Sequence, residues 1–381
     1  MRALFIGSYP NSADPHRSVF FRELIYQFAR LGVECTVISP LSVTKYRRRY
    51  RQIPTMVCEQ LYSGEAVTVY RPRMISYSAK KIGRWNTIHL TQRSIDHAVL
   101  RQVKKLEGKF DFVYGHFFLG GGLTAARVGR MLGIPAYIAY GECSFDTEVR
   151  NKYGDIHPKQ MEGVHGIISV SSANSNDLAG REFARGIPVC LALNAVDANV
   201  FCIKDKKDCR EKFGFSMDDF IIGFVGGFIE RKGPNRVLEA CRGLEGVKLA
   251  FAGKGEQRPF GDQVIFCESL VHEDVADFLN AVDVFVLPTL HEGCCNAVIE
   301  AMSCGKAIVS SDLPFNHDVL NSKNAILVDP NDIGQIWEAI RTLRDDVQLR
   351  RRLGEQALKD SQSLTIDQRA RNILEFIQQT S

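Results

Sequence analysis

No apolar run in the 381 residues approaches the ~20 needed to cross a bilayer, so no spanning helix is expected. The opening run Met1–Gly7 is too short for a signal peptide and reads as a first strand, which points to the cytoplasm. The 11 cysteines are odd in number and form no CxxC, which argues against a disulfide framework and a zinc knuckle. The nine histidines show neither HxxxH nor HExxH spacing, so no protein-built metal site is expected. Gly7 stands alone after the first strand, so the GxGxxG fingerprint of a dinucleotide oxidoreductase is missing. Low-complexity tracts and repeats of ~20–50 residues are absent too.

What is there is an ordinary globular composition, 45% hydrophobic and 24% charged, over a length that suits two domains. The net charge of +4 hides an asymmetry. Residues 1–190 carry 26 Lys and Arg against 15 Asp and Glu, whereas the remainder carries 22 against 29. A basic half and an acidic half speak about partners, not about fold.

Short apolar runs alternate with amphipathic segments. Strands are expected over 3–8, 35–39, 112–114, 136–139, 167–170 and 189–191, with helices between them. The pattern restarts with a buried strand over 220–225, two glycines and a helix from about Pro234. Further strands follow over 248–252, 264–267, 282–287, 307–310 and 325–328, and three helical segments close the chain. Such βαβ alternation implies an α/β fold of two doubly wound domains with parallel sheets. The hinge is placed between about 193 and 215, including the charged stretch Asp205-Lys206-Lys207-Asp208. Residues 41–64 fit poorly. They interleave basic and aromatic side chains in Lys45-Tyr46-Arg47-Arg48-Arg49-Tyr50-Arg51 and read as a long loop, either functional or simply solvated.

Two stretches carry chemistry. The first, His291-Glu292-Gly293-Cys294-Cys295-Asn296 through Glu300-Ala301-Met302, follows a strand at its carboxyl end, where open α/β sheets bind ligands. A helix from Asn296 would leave free N–H groups over Gly293–Asn296 to receive a phosphate, and would carry Glu300 one turn inside. Two carboxylates beside an anion site suit hydroxyl-rich parts of a ligand. Spacing alone equally allows helix-start carboxylates favoured by the dipole. The second stretch is Gly226-Gly227-Phe228-Ile229-Glu230-Arg231-Lys232-Gly233. Its glycines let a ligand approach the backbone, and Arg231 or Lys232 can neutralise a diphosphate; a solvated basic turn would look the same.

These stretches resemble the retaining glycosyltransferases of family 4, which have the GT-B fold. Glu292 and Glu300 match the family's E-x7-E motif, Asn194-Ala195-Val196-Asp197 with Phe201 echoes its hinge motif, and Gly253-Lys254-Gly255 matches its glycine turn. The resemblance implies two Rossmann-like domains facing a central cleft. Residues 1–193 would bind the acceptor, with the C-terminal helix of about 362–381 packing back, and 194–361 would bind a nucleoside-diphosphate sugar. It gives Glu292 the hydroxyls of the transferred sugar, Glu300 the ribose hydroxyls, and Lys232 with Arg231 the diphosphate. Gly226, Gly227, Gly253, Gly255, Gly293, Cys294, Cys295 and Asn296 would line the donor site. Arg17, Ser18, His116 and Glu142 are the acceptor-side candidates; a structural role for His116 and an exposed position for Glu142 stay open.

The chain departs from the family pattern at Gly227, where an arginine is common, and at Tyr140-Gly141-Glu142, where a histidine is common. No cofactor and no metal are implied, and no Asp-x-Asp pair is present to hold one. The expected activity is hexosyl transfer with retention to a glycan or lipid-linked acceptor, in cell-surface polysaccharide synthesis. A sugar-nucleotide 2-epimerase of GT-B fold and a non-catalytic sugar-nucleotide binding protein are the alternatives. The basic residues of 45–51, with Lys80, Lys81, Arg84, Lys104 and Lys105, point to peripheral contact with an anionic membrane surface. They form no nucleic-acid motif.

Overall fold

The computed structural model describes residues 1–83 and 85–381, so Arg84 lies outside the described residues. The chain divides into two compact units, Met1–Leu193 with Asp367–Ser381, and Asn194–Ile366.

The first unit is built on an eight-stranded sheet. Its order is Val189–Leu191, Val164–Ser169, Ala136–Tyr140, Phe112–His116, Arg2–Ile6, Glu34–Ile38, Ala66–Tyr70 and Met56–Gln60. Every pairing is parallel except the last, where Met56–Gln60 runs antiparallel to Ala66–Tyr70. The central strands are buried along their length, which is what parallel strands covered on both faces require. Phe5 packs against Phe21 and Phe28 of the helix Val19–Arg30 and against Phe112 and Tyr114 of the next strand. The C-terminal helix Ile366–Thr380 joins this unit: Tyr137 donates its hydroxyl hydrogen to the Ile377 carbonyl at 3.1 Å.

The second unit has six parallel strands in the order Val264–Glu268, Val247–Ala252, Phe220–Val225, Val284–Leu287, Ala307–Ser311 and Ile326–Val328. Numbered along the chain this is 3-2-1-4-5-6, the doubly wound order. The order reverses between Phe220–Val225 and Val284–Leu287. In the first unit it reverses between Arg2–Ile6 and Phe112–His116. These two switch points are where such sheets leave a crevice for ligands.

Two sequence expectations are corrected. Residues 41–64 are not a loop. They form a short strand Leu41–Ser42, the helix Val43–Tyr46 capped by the Ser42 hydroxyl, a 3-10 helix Arg47–Gln52 and the edge strand Met56–Gln60. An edge strand buries little, so its alternation was hidden by polar residues. The stretch 205–208 is no hinge linker either. Asp205 caps the helix Lys206–Phe213 through the backbone N–H groups of Lys207 and Asp208. On that helix Arg210, 1% exposed, pairs with Asp283 at 2.8 Å.

Candidate active site

In the second unit the turn after Phe220–Val225 and the turn after Val284–Leu287 flank the switch point, and side chains knit them together. Glu292 Oε1 accepts from Lys232 Nζ at 2.7 Å, from Thr289 Oγ1 at 3.0 Å and from the Arg231 guanidinium. Arg231 also donates to the His291 carbonyl, and its own carbonyl accepts from the Leu290 N–H at 2.8 Å. Arg236 donates to the Pro288 carbonyl at 2.9 Å. Ser311 Oγ donates to the Thr289 carbonyl at 2.6 Å, and Asn316 Nδ2 donates to Ser310 Oγ at 3.1 Å.

Lys232 and Glu292 are nearly buried, with side chains 14% and 10% exposed. Burial alone would drain charge from the ammonium, but Cys295 and Glu292 outweigh it and hold the Lys232 pKa above its ordinary value. Burial pushes the Cys295 thiol, 3.8 Å from Lys232 Nζ, up to about 11. A thiol at that value is neutral near pH 7, so near neutrality Glu292 is the acidic partner beside Lys232. Two cations on one carboxylate leave a surplus of positive charge beside the start of the helix Asn296–Ser303. An anion reaching this spot meets Arg231, Lys232 and first-turn N–H groups.

Glu300 sits inside the same helix, 7% exposed among the buried Val298, Ile299, Ala301 and Met302. An ionisable side chain so deep in an apolar helix marks a functional candidate. Asn296 Oδ1 is buried without a hydrogen-bond partner. Cys294 offers its carbonyl to Asn194 Nδ2 at 2.9 Å, which ties the start of the unit to the motif loop. Gly293 is buried in that loop.

The glycines have separate reasons. A Cβ on Gly253 would lie 1.9 Å from the Gly226 carbonyl oxygen, so backbone packing between the two turns demands glycine at 253 whether or not a ligand binds. Gly255 meets the Phe228 carbonyl at 2.3 Å in the same test. Gly227 has only ordinary contacts, so space does not forbid a larger residue there.

The acceptor-side candidates of the first unit separate. Arg17 Nη2 donates to Ser8 Oγ at 3.0 Å, at the rim of a cavity of about 200 Å3 over the carboxyl ends of the sheet. Ser18 precedes the helix Val19–Arg30 in a left-handed conformation, φ 54°, and its side chain does not cap the helix. His116 and Glu142 do not line that cavity. His116 is buried, stacked on Phe21 at 4.3 Å and flanked by Phe20 and Phe117, and both ring nitrogens lack partners. Burial, aided by Arg369, lowers its pKa to about 3, so the ring is neutral. Glu142 is not an exposed carboxylate. Its Oε1 accepts from the Phe118 N–H at 2.7 Å, its Oε2 is buried without a partner, and burial raises its pKa to about 7 against the pull of backbone N–H groups. It clamps the glycine turn after Phe112–His116.

Sequence reasoning missed Thr289, Ser311 and Asn316, which support the motif loop from behind; single polar residues in a strand or loop give no periodic signal. It also missed Lys45 and Tyr46 as cavity walls, because the segment read as a loop. Among the described residues no cluster of His, Cys, Asp and Glu is arranged to hold a metal ion, and no helix is long and apolar enough to cross a membrane. No disulfide joins any two cysteines among the described residues.

Comparison with known proteins bears on the second unit most directly. Residues 205–360 match the family described as glycosyl transferases group 1. The chain is 26% identical over 358 residues to the teichuronic acid biosynthesis glycosyltransferase TuaC of Bacillus subtilis, covering 89% of this chain and 88% of that protein. It is 22% identical over 304 residues to the D-inositol 3-phosphate glycosyltransferase of Paenarthrobacter aurescens, covering 72% and 74%. Among solved structures it resembles the sucrose-phosphate synthase of Thermosynechococcus elongatus, with TM-score 0.78, 18% identity and coverage of 99% and 98%. It also resembles Anabaena HepE in complex with UDP-glucose, with TM-score 0.73, 16% identity and full coverage of both chains. The fold is GT-B, and the match to group 1 glycosyl transferases falls within the second unit.

Proposed function

We propose, from that match and the site's geometry, that the protein is a retaining, metal-independent glycosyltransferase that moves a hexosyl group from a nucleoside-diphosphate sugar to a glycan or lipid-linked acceptor. The observation that carries this reading is the Lys232–Glu292 pair, nearly buried at the switch point of the matched unit beside the start of Asn296–Ser303. Lys232 and Arg231 take the diphosphate and stabilise the charge that develops on it as the glycosidic bond breaks. Glu292 then holds sugar hydroxyls and Glu300 the ribose. Gly226 and Gly227 let the backbone approach the donor, and Gly293–Asn296 supply N–H donors. In a front-face route the C1–phosphate bond breaks and the acceptor oxygen bonds C1 from the same side. The acceptor proton passes to the leaving phosphate. No cofactor takes part. The names of TuaC and of the UDP-glucose complex support a sugar-nucleotide donor and a role in polysaccharide synthesis.

The first unit binds the acceptor in this reading, and the enzyme works in the cytoplasm against an anionic membrane surface. Arg47, Arg48 and Arg49 are exposed on one 3-10 helix, where each basic residue near such a surface contributes ~1 kcal/mol.

A thermal-shift screen of UDP-, GDP- and ADP-sugars in EDTA tests the donor reading. A ligand at 100 times its Kd stabilises by about 2.7 kcal/mol. Turnover of the stabilising donor with a glycan acceptor in EDTA, giving an α-product from an α-donor, is the expected result. Abolition by EDTA, an inverted product, or epimerisation without acceptor overturns it.

A further inference from the structure

We propose that the cavity of the first unit reads an anionic group, a phosphate, diphosphate or carboxylate, carried on the ring of the acceptor. This deepens the transferase reading and rests on it.

The cavity lies over the carboxyl ends of Arg2–Ile6 and Glu34–Ile38, with Gly7, Ser39 and Gly120 in its walls. At about 200 Å3 it is smaller than the ~300–1,000 Å3 of drug-sized sites and suits a single ring. Its lining is mixed in the way a sugar ring demands. Leu41, Met74 and Ile95 give apolar surface for the ring face, and Ser42, Ser76 and Tyr46 give hydroxyls. Those groups are pre-positioned. Ser42 and Ser76 hydroxyls bond each other, and Asn11 Nδ2 donates to the Tyr46 hydroxyl at 3.2 Å. One wall is fixed from within. The Gly120 N–H donates to Gln92 Oε1 at 3.0 Å, and Gln92 Nε2 donates to Asp96 and Thr124, all three side chains being buried.

Two cations stand at this cavity, Arg17 and Lys45. One carboxylate, Asp14, serves both, at 3.9 Å from Arg17 Nη1 and 3.4 Å from Lys45 Nζ. The surplus positive charge is therefore present at the rim before any ligand arrives. Their side chains are 40% and 48% exposed, so they are hydrated and free to re-aim at an incoming anion. Lys45 and Tyr46 also line a shallow depression that continues to Arg47, Arg48 and Arg49. The charge thus runs outward from the cavity in one direction, as an anionic substituent on a longer acceptor requires. A neutral sugar would offer Arg17 and Lys45 only hydroxyl acceptors, whereas an anion also meets their charge.

The test uses the full chain, saturated with whichever of UDP, GDP or ADP raises its melting temperature, so that the donor phosphate site is filled. Calorimetric titration with glucose, glucuronate and glucose 6-phosphate reads the cavity. Both charged probes are expected to bind at least tenfold more tightly than glucose. Arg17→Ala and Lys45→Ala each remove most of that preference, and Asp14→Asn strengthens it by several fold, a sign that a merely structural role of Asp14 would not give. Farnesyl diphosphate-linked glucose distinguishes the source. Tighter binding than glucose 6-phosphate, lost when Arg47, Arg48 and Arg49 become Ser, marks a lipid-linked acceptor; equal binding marks a soluble one, and either supports anion recognition. Equal binding of charged and neutral probes, or a preference that survives the double variant Arg17→Ala/Lys45→Ala, overturns the proposal. Nucleotide-induced stabilisation is read in the same variants. If it persists while the preference is absent, the cavity proposal fails and the transferase reading stands; if no nucleotide stabilises the wild type, the transferase reading itself fails.

Discussion

The two units share a strand order at their switch points but hold their cations in opposite ways. In the second, Lys232 and Arg231 are locked on Glu292, and Lys232 is 14% exposed. In the first, Arg17 and Lys45 are 40% and 48% exposed around a single carboxylate. A locked, nearly dry cation is pre-aimed and costs little reorganisation when charge develops nearby, which suits one unvarying group. A hydrated cation on a flexible stem contributes less but adapts, which suits a partner that differs between relatives. The same topology thus carries a rigid site and an adjustable one, and the difference lies in which loops are tied down by side chains from behind.

Breaking the locked side gives the largest effect. Lys232→Ala is expected to lower kcat by about 10²–10³, the range for removing one preorganised donor to a developing oxyanion. Arg231→Ala loses less, because its side chain is 32% exposed against 14% for Lys232 and acts through a wetter medium. Glu292→Ala lowers turnover and also strands Lys232 without its carboxylate, at a stability cost that reaches ~3–5 kcal/mol for a buried pair. Steady-state kinetics with parallel thermal melts separate the two. Small and equal losses in all three variants would show that the diphosphate is held elsewhere and that the locked network is only structural.

The adjustable side is broken at its exposed end. Changing Arg47, Arg48 and Arg49 to Ser removes ~1 kcal/mol each near an anionic surface, so vesicle partitioning should fall about a hundredfold. Sedimentation with phosphatidylserine vesicles at low and high salt reads this, and wild-type protein that ignores the vesicles at low salt removes the membrane from the account. Next in size is Glu300→Ala. Loss of a charged acceptor to ribose hydroxyls costs about 1.5–3 kcal/mol, visible as a ten- to hundredfold weaker nucleotide affinity with the first unit's ligands unaffected.

The parts legible in the sequence were those with a strong period or a strong neighbour. Phe220–Val225 and the helix from Asn296 stand where the apolar pattern puts them, because buried parallel strands and a glycine just past a helix end, here Gly305, leave local marks. The E-x7-E spacing and the Arg231-Lys232 pair were visible for the same reason. What stayed hidden was set by tertiary contact. Met56–Gln60 exists because Ala66–Tyr70 offers it an edge. Gly253 is glycine because a distant turn passes 1.9 Å from its missing Cβ. Glu142 and His116 look alike as polar residues near strand ends, yet one clamps a backbone N–H and the other is wrapped in rings.

That last pair gives the smallest and most specific test, because their titrations oppose each other. Glu142 has its pKa raised from 4.5 to about 7, so the folded state holds a proton that the unfolded chain has lost between those values. Stability from this group is present below about pH 4.5 and declines by ~3 kcal/mol as pH rises through 7. His116 has its pKa lowered from 6.5 to about 3, so its contribution is present above pH 6.5 and is lost as pH falls toward 3. Between 4.5 and 6.5 the two slopes run against each other and the wild type should show a flat melting temperature. Glu142→Gln keeps an oxygen to accept from the Phe118 N–H and removes the titration. The variant should therefore melt higher as pH rises from 5 to 6.5 and then level off, while the wild type declines from 6.5 to 8. Melting curves at half-unit steps decide it. Identical profiles for the two proteins would mean that Glu142 is hydrated in solution, and the first unit would then be adjustable at its glycine turn as well as at its rim.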